Sequence, residues 1–238
     1  MRLIRKKMKN QISSLEKNIG IEFSNKGILE TAVTHRSYLN EHREIPEHNE
    51  RLEFLGDAVL ELIVSDYLYN EFPERAEGEL TSFRSALVRT DSLAESAKGL
   101  KLGEYLRLSR GEQDSGGREK DYLLANAFEA VLGAIYIDKG YEECKGFISR
   151  TLIPKLGEIV EYRLDIDNKT RIQELAQSVF KATPTYEVIN EEGPDHDKIF
   201  TVVVKIDDKI IGEGTGSSKQ KAEERAAEIG IEYIESNK

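Results

Sequence analysis

A wholly helical domain followed by a small α-β-β-β-α domain is the fold that this 238-residue sequence predicts, and three observations carry it. Apolar residues recur at helical spacing through residues 1–163, with no convincing run of alternating strands. The texture then changes at a short polar linker, Leu164-Asp-Ile-Asp-Asn-Lys169. Beyond it, two amphipathic helical stretches bracket three segments with the two-residue alternation of half-buried strands. The expected boundaries are therefore residues 1–163, a linker at 164–169, and residues 170–238.

In chain order, residues 1–10 carry five basic side chains and no acidic one, a composition that should fray before a helix marked by Ile12, Leu15 and Ile19. Ile28 to His35 form a second helix leading into Arg36-Ser37-Tyr38-Leu39-Asn40. His35 reads as a satisfied core or capping histidine with no catalytic role. Glu41 to Glu47, with Pro46, is a loop. The helix that follows ends at Phe72-Pro73, Glu77-Gly78 marks a turn, and Leu80, Phe83 and Leu87 share one face of the next helix. Asp91-Ser92 caps a short helix through Ala97, with Gly99 as its stop. Ser109 to Arg118 is polar and glycine-rich; its spacing matches no phosphate-loop pattern, so it reads as a flexible loop. A helix from Asp121 to Asp138 is apolar nearly all round and should be buried. The last helical segment, through Phe147, Ile148 and Leu152, is interrupted at Pro154.

Past the linker, Thr170 to Phe180 places Ile172, Leu175, Ala176 and Val179 inward and Gln173, Glu174 and Gln177 outward. Strands follow at Thr185–Ile189, Ile199–Ile206 and Lys209–Gly214. Ser217 is positioned to cap a final helix, with Gln220 completing a capping box and Ala222, Ala226, Ile229 and Tyr233 forming the inner stripe.

Composition narrows the function classes. With 39% hydrophobic and 33% charged residues, the chain is of the soluble globular kind, without a membrane span or an apolar signal core. One cysteine, Cys144, allows no internal disulfide and suits a reducing cytoplasm. No cysteine pair and four scattered histidines argue against zinc. The formal net charge is −10; residues 168–238 hold 10 Lys and Arg against 14 Asp and Glu. A polyanionic partner must be gripped by local patches, not by bulk attraction.

The stretch His48 to Ile63 sorts its charges by face. At 100° per residue, Glu50, Glu53, Asp57 and Glu61 fall on one stripe, and Leu52, Leu55, Val59, Leu62 and Ile63 on the opposite side. Taken alone, an ordinary amphipathic helix with a solvated acidic face accounts for this. The buried helix adds a second signal: Asn126 and Glu129, spaced i and i+3, are its strongly polar interior members and share a face. A buried carboxylate is normally paired or bound to metal. Were that face to meet the acidic stripe, the cluster would be all oxygen, repelling itself unless a cation sat within it. Such donors suit a hard ion, Mg2+ or Mn2+.

At the level of motifs, His48-Asn-Glu-Arg-Leu-Glu-Phe-Leu-Gly-Asp-Ala-Val resembles the signature of bacterial ribonuclease III. The small domain resembles a double-stranded-RNA-binding domain, with Gly193-Pro-Asp-His196 before a strand and Gly216-Ser-Ser-Lys-Gln-Lys-Ala-Glu opening the last helix. The likeness covers almost the whole chain. It implies a homodimeric, Mg2+-dependent endonuclease of double-stranded RNA, of the kind that processes rRNA and mRNA precursors, leaving 5′-phosphate and 3′-hydroxyl ends and needing no small-molecule cofactor. By the same resemblance Glu53, Asn126 and Glu129 match metal ligands, and Asp57 and Glu129 match catalytic carboxylates. Glu50 and Glu77 match outer acidic positions of the cleft. Phe54 matches an aromatic that plugs a socket on the partner subunit, although on spacing alone it also fits a core aromatic at the edge of the apolar face. Gln173, Glu174, Gln177, His196, Lys219 and Lys221 match RNA contacts, which read duplex shape and backbone. Gln220 stands where the family often has a basic residue.

The departure is Asn126, where the family pattern usually has Asp. An amide offers one carbonyl oxygen but no charge, so a second reading is a catalytically impaired or inactive double-stranded-RNA-binding protein. A third, a helical metal-dependent phosphohydrolase of nucleotides, draws little support from the appended RNA module.

Overall fold

The computed structural model describes residues 2–194 and 197–237, with side chains from residue 11 onward. Two compact units result, Met1–Glu161 and Tyr162–Lys238. Among the described residues no helix is long and apolar enough to cross a membrane.

The first unit is helical throughout. It comprises α1 (Arg2–Ile19), α2 (Lys26–Ala32), a 3-10 turn (Arg36–Asn40), α3 (Glu50–Glu71), α4 (Glu77–Val88) and α5 (Thr90–Gly99). These are followed by α6 (Leu102–Tyr105), α7 (Arg110–Asp114), α8 (Asp121–Lys139), α9 (Tyr141–Thr151), a second 3-10 turn (Ile153–Lys155) and α10 (Leu156–Tyr162). The central helix is α8, buried from Leu123 to Ile135 except at Asn126 and Glu129. The Phe128 ring lies 5.4 Å from that of Phe147 on α9, tilted by 31°, and Leu29, Leu60, Leu93 and Phe147 belong to the same core.

The principal partner of α8 is α3, and glycine sets how close they come. A Cβ on Gly56 would lie 1.8 Å from the Glu129 carbonyl oxygen, and one on Gly133 would lie 2.2 Å from that of Leu52. Neither distance is physically possible, so the helices cross backbone to backbone only because both positions lack a side chain. Helical glycine is costly relative to alanine; here it permits the contact.

The second unit comprises α11 (Asn168–Phe180), β1 (Thr185–Glu192), β2 (Ile199–Ile206), β3 (Lys209–Gly216) and α12 (Lys219–Ser236). The sheet is antiparallel in the order β1-β2-β3, pairing Val188 with Val202 and Val202 with Gly214. One sheet face carries Val202, Val204 and Ile206 against Ile172 and Ala176 of α11 and Ala226 and Ile231 of α12. Here too glycine allows close approach: a Cβ on Gly214 would lie 2.2 Å from the Ala226 nitrogen.

Several expectations need adjustment. The first helix starts at Arg2, within the basic segment. Leu62, assigned to the apolar face of α3, is 58% exposed, and Leu60 takes its place in the core; the buried arc is turned toward the acidic stripe by the close crossing at Gly56. Glu77-Gly78 are the first turn of α4, and Asp91 lies inside α5, bonding the Ser92 amide 2.9 Å away. Residues 109–118 are folded: Ser109 caps α7, and Arg118 donates to the carbonyl oxygens of Gly103 and Glu104 at 2.6 and 3.1 Å. Asp167 caps α11, so that helix begins at Asn168. Val179 is 38% exposed. Ser218, not Ser217, caps α12, accepting from the Lys221 amide at 3.2 Å. That one-residue change accompanies a rotated inner stripe, Ala222, Ala226, Ala227, Gly230, Ile231 and Ile234, with Ile229 and Tyr233 at its margin.

The crossing supplies a direct test. Gly56→Ala should destabilise the chain by ~3 kcal/mol or more, because neither backbone can yield without separating the two central helices. Urea unfolding measures this, and a loss below the ~1 kcal/mol typical of an average substitution would mean the helices can part cheaply.

Candidate active site and RNA-facing surface

At the Gly56 crossing, α3 presents Glu53 and Asp57 and α8 presents Asn126 and Glu129. Glu53 and Glu129 are half-buried and Asp57 is exposed. Burial, followed by the charges of Asp57 and Glu53, pushes the Glu129 carboxyl up to about 7. Burial also raises Glu53, aided by Glu50 and Asp57, while the nearby Asn126 amide opposes the shift. Glu53, Asp57, Asn126 and Glu129 therefore share one electrostatic environment. Among the described residues no Lys or Arg pairs with any of these carboxylates.

As donors for a hard cation this group is suitable: it is all oxygen, carries excess negative charge, and is in part desolvated. Among the described residues, however, no three His, Cys, Asp or Glu side chains converge as a ready-made cage. Like charges with no cation between them favour such separation.

The outer acidic positions divide. Glu50 adds to the field at Glu53 and lies 3.4 Å from Arg36 Nη1 and 3.9 Å from His48 Nδ1. Glu61, on the same stripe by sequence, is taken up by Arg84 at 2.9 Å, which also donates to Ser65 Oγ; this residue joins α3 to α4. Glu77 accepts from Thr81 Oγ1 within its own helix at 3.1 Å and is not among the charges that shift Glu53 or Glu129. His35 is a cap: its Nδ1 accepts from the Ser37 amide at 3.3 Å, and burial lowers its pKa.

Phe54 is 80% exposed, so it is not a core aromatic. It borders a groove of about 960 Å³ lined by Ile28, Pro46, Leu52, Leu55 and Ile137.

In the second unit Gln173, Glu174 and Gln177 are exposed along α11, and Lys219 and Lys221 occupy the first turn of α12. Gln173 and Gln220 line one polar cleft between the two helix starts. Lys219 lies 5.6 Å over the Phe200 ring and 3.2 Å from Glu191; Lys221 Nζ reaches Ser217 Oγ at 3.4 Å. His196 lies outside the described residues.

Residues 25–156 match a ribonuclease-III-like family model, and residues 168–234 match a double-stranded RNA binding motif. The ribonuclease 3 of Streptococcus pneumoniae strain P1031 is 46% identical over 226 residues, covering 94% of this chain and 97% of that protein. This chain belongs to the ribonuclease III family. The corresponding protein of strain Hungary19A-6 matches equally, at 46% identity and the same coverage. Among solved structures, the nuclease domain of ribonuclease III from Campylobacter jejuni is 42% identical with a TM-score of 0.55, covering 59% of this chain and 94% of that one. This ribonuclease III-family member is accordingly an endoribonuclease, directed by its second unit to double-stranded RNA.

The Glu129 shift can be tested without metal. A carboxyl near 7 in the folded chain against 4.5 ordinarily holds its proton more tightly when folded. The stability it confers is present below about pH 4.5 and is lost as pH rises through 7. Glu129→Gln should remove that slope in metal-free buffer and stabilise the chain at pH 8, by on the order of 2 kcal/mol after allowance for solvent screening. Parallel stability profiles for the two proteins from pH 4.5 to 8 would show that neither burial nor like charge holds the Glu129 proton in the folded chain.

Proposed function

We propose that this endoribonuclease cuts duplex RNA at the α3/α8 carboxylates with Mg2+, for which Mn2+ can substitute. The observation that carries the reading is the group Glu53, Asp57 and Glu129, which lie in one another's field at a helix crossing with no cationic partner among the described residues. In this assignment Glu53, the Asn126 carbonyl oxygen and Glu129 hold the ion. A bound divalent ion supplies positive charge to a phosphate oxygen and makes a nearby water more acidic. Asp57 and Glu129 orient the attacking water and manage its proton. The water oxygen bonds to phosphorus as the bond to the 3′ oxygen breaks, leaving 5′-phosphate and 3′-hydroxyl ends. Glu50 and Glu77 border the cleft.

The division of labour assigns cleavage to residues 1–163 and RNA grip to residues 170–238, joined by residues 164–169. Gln173, Glu174, Gln177, His196, Lys219 and Lys221 make the RNA contacts, backbone and 2′-hydroxyl groups being the features such modules read. Precursor rRNA and mRNA in the cytoplasm are the substrates in this reading. The working unit is a homodimer, with Phe54 of each subunit seated in the groove of the other. Sedimentation at micromolar concentration should give a dimer, and Phe54→Asp should shift it to monomer by placing a charge in an apolar seat.

The neutral amide of Asn126 favours a second reading, a duplex-RNA binder with little or no cleavage. One assay separates the two: a long RNA duplex incubated with Mg2+ or Mn2+. Cleavage to short duplexes, abolished in Glu129→Ala, supports the enzyme; tight binding without products under either ion supports the binder. Asn126→Asp adds a charge beside Glu53 and Glu129, which strengthens attraction for a divalent ion. It should therefore lower the Mg2+ concentration for half-maximal cleavage, on the order of tenfold, ~1.4 kcal/mol. An unchanged Mg2+ dependence would remove residue 126 from the ion site.

A further inference from the structure

We infer that Glu191 is a built-in competitor of the RNA backbone: it engages the Lys219 ammonium in the free protein and must be displaced before that lysine can hold a phosphate. This rests on the proposed reading of Lys219 as an RNA contact, and goes beyond it by assigning the acid that sets the strength of the contact.

The sheet register brings the two charges together. Glu191 of β1 lies directly opposite Phe200 of β2, and Phe200 lies opposite Gly216 of β3. A Cβ on Gly216 would lie 2.6 Å from the Ala222 nitrogen, so the end of β3 runs close against the first turns of α12. Lys219, at the start of α12, is thereby carried over the sheet, with Nζ 5.6 Å from the centre of the Phe200 ring and 3.2 Å from Glu191 Oε1. Glu191 also lies 4.0 Å from Lys198 Nζ, just before β2.

Electrostatics explain why an acid settles there. The first turn of α12 carries Lys219 and Lys221 and no acidic residue, at the helix end where the backbone already presents positive charge. An anion is favoured at such a place, whether carboxylate or phosphate. The two lysines differ in their state. Among the described residues Lys221 is bonded to a hydroxyl, Ser217 Oγ, and to no acid, whereas Lys219 is already engaged. A phosphate and a carboxylate bonded to one ammonium repel each other, so RNA must exclude Glu191. The ring beneath stays, and holds the lysine in place while the anion is exchanged.

The effect is modest and depends on salt. The Lys219 and Glu191 side chains are 57% and 42% exposed; a pair in that setting contributes little and is screened as salt rises. Residues 168–238 carry 10 basic against 14 acidic side chains, so one cation withheld is a sizeable part of the local attraction. Glu191 therefore moderates the grip most where attraction is strongest, at low salt.

The next residue supplies a control. Glu192 pairs with Ile199 and so belongs to the opposite face of the sheet, where it accepts from Asn190 Nδ2 at 2.8 Å. Its loss removes the same charge without freeing a lysine.

The test uses the full chain and a short RNA duplex in EDTA, with Kd measured across a salt series. Glu191→Gln should tighten binding ~2–5-fold at low salt, the range of an exposed ion pair, with the gain shrinking as salt rises. Glu192→Gln should give ~1.5-fold or less, as a screened charge without a cationic partner. Lys219→Gln should weaken binding and reduce the salt slope by about one, and in that background the Glu191→Gln gain should fall to the Glu192→Gln level. If Glu191→Gln lowers the melting temperature, Glu191→Thr, a residue suited to strands, takes its place with the same expected gain. Equal gains from Glu191→Gln and Glu192→Gln, weaker binding in Glu191→Gln, or a gain that survives Lys219→Gln would each overturn the inference. An unchanged Kd and slope in Lys219→Gln would instead refute Lys219 as an RNA contact, and the competitor's role with it.

Discussion

The contact between Gly56 and Gly133 is the constraint on which the first unit depends. Two helices bearing ordinary side chains sit 8–10 Å apart, and at that spacing short carboxylates reaching from both would have room for water between them. Removing the side chain at one position on each helix brings the backbones together and moves the residues one turn away into each other's field. Glu53 and Asp57 flank Gly56 at i−3 and i+1, and Glu129 precedes Gly133 by one turn. Packing geometry thus creates the electrostatic problem that the site presents.

That problem is confined. Along the acidic stripe of α3, each carboxylate meets a different fate according to what the neighbouring elements offer it. Arg84 from α4 engages Glu61, and Arg36 from the 3-10 turn lies beside Glu50. Between them Glu53 and Asp57 face α8, which brings an amide and a further acid. Surface ion pairs of this kind contribute little stability singly; their effect here is to restrict unbalanced charge to the middle of the row.

Much of this was legible in the sequence, and the reason is periodicity. The all-round apolar character of α8 identified it as buried, so Asn126 and Glu129 stood out as exceptions demanding a partner. The inward set of β2, Val202 and Val204, was equally plain, although Val203 between them is buried as well. What periodicity could not supply was azimuth: Leu62, Val179, Ile229 and Tyr233 lie within about one residue's rotation of the buried arc, a difference set by neighbours remote in sequence. Residues 109–118 looked like a loop because the bonds that fold them come from Gly103, Glu104, Ser37 and Glu41, distant in the chain. The glycine crossing did leave a trace. Two glycines inside otherwise strong helices oppose helix propensity, and such a local penalty points to a close approach. Arg36 left none, since nothing in its spacing relates it to Glu50.

The Asn126 side chain beside Glu53 has a consequence for occupancy. A carboxylate at position 126 would present the same atom type whichever way its end group turned, whereas an amide has two distinct ends, a donor and an acceptor. The amide acts on Glu53 in the direction that favours its negative charge, which is the work of a donor. Toward a cation only the oxygen end is of use. One side chain can thus serve the empty cleft by one end and an occupied cleft by the other, which a carboxylate at this position could not do.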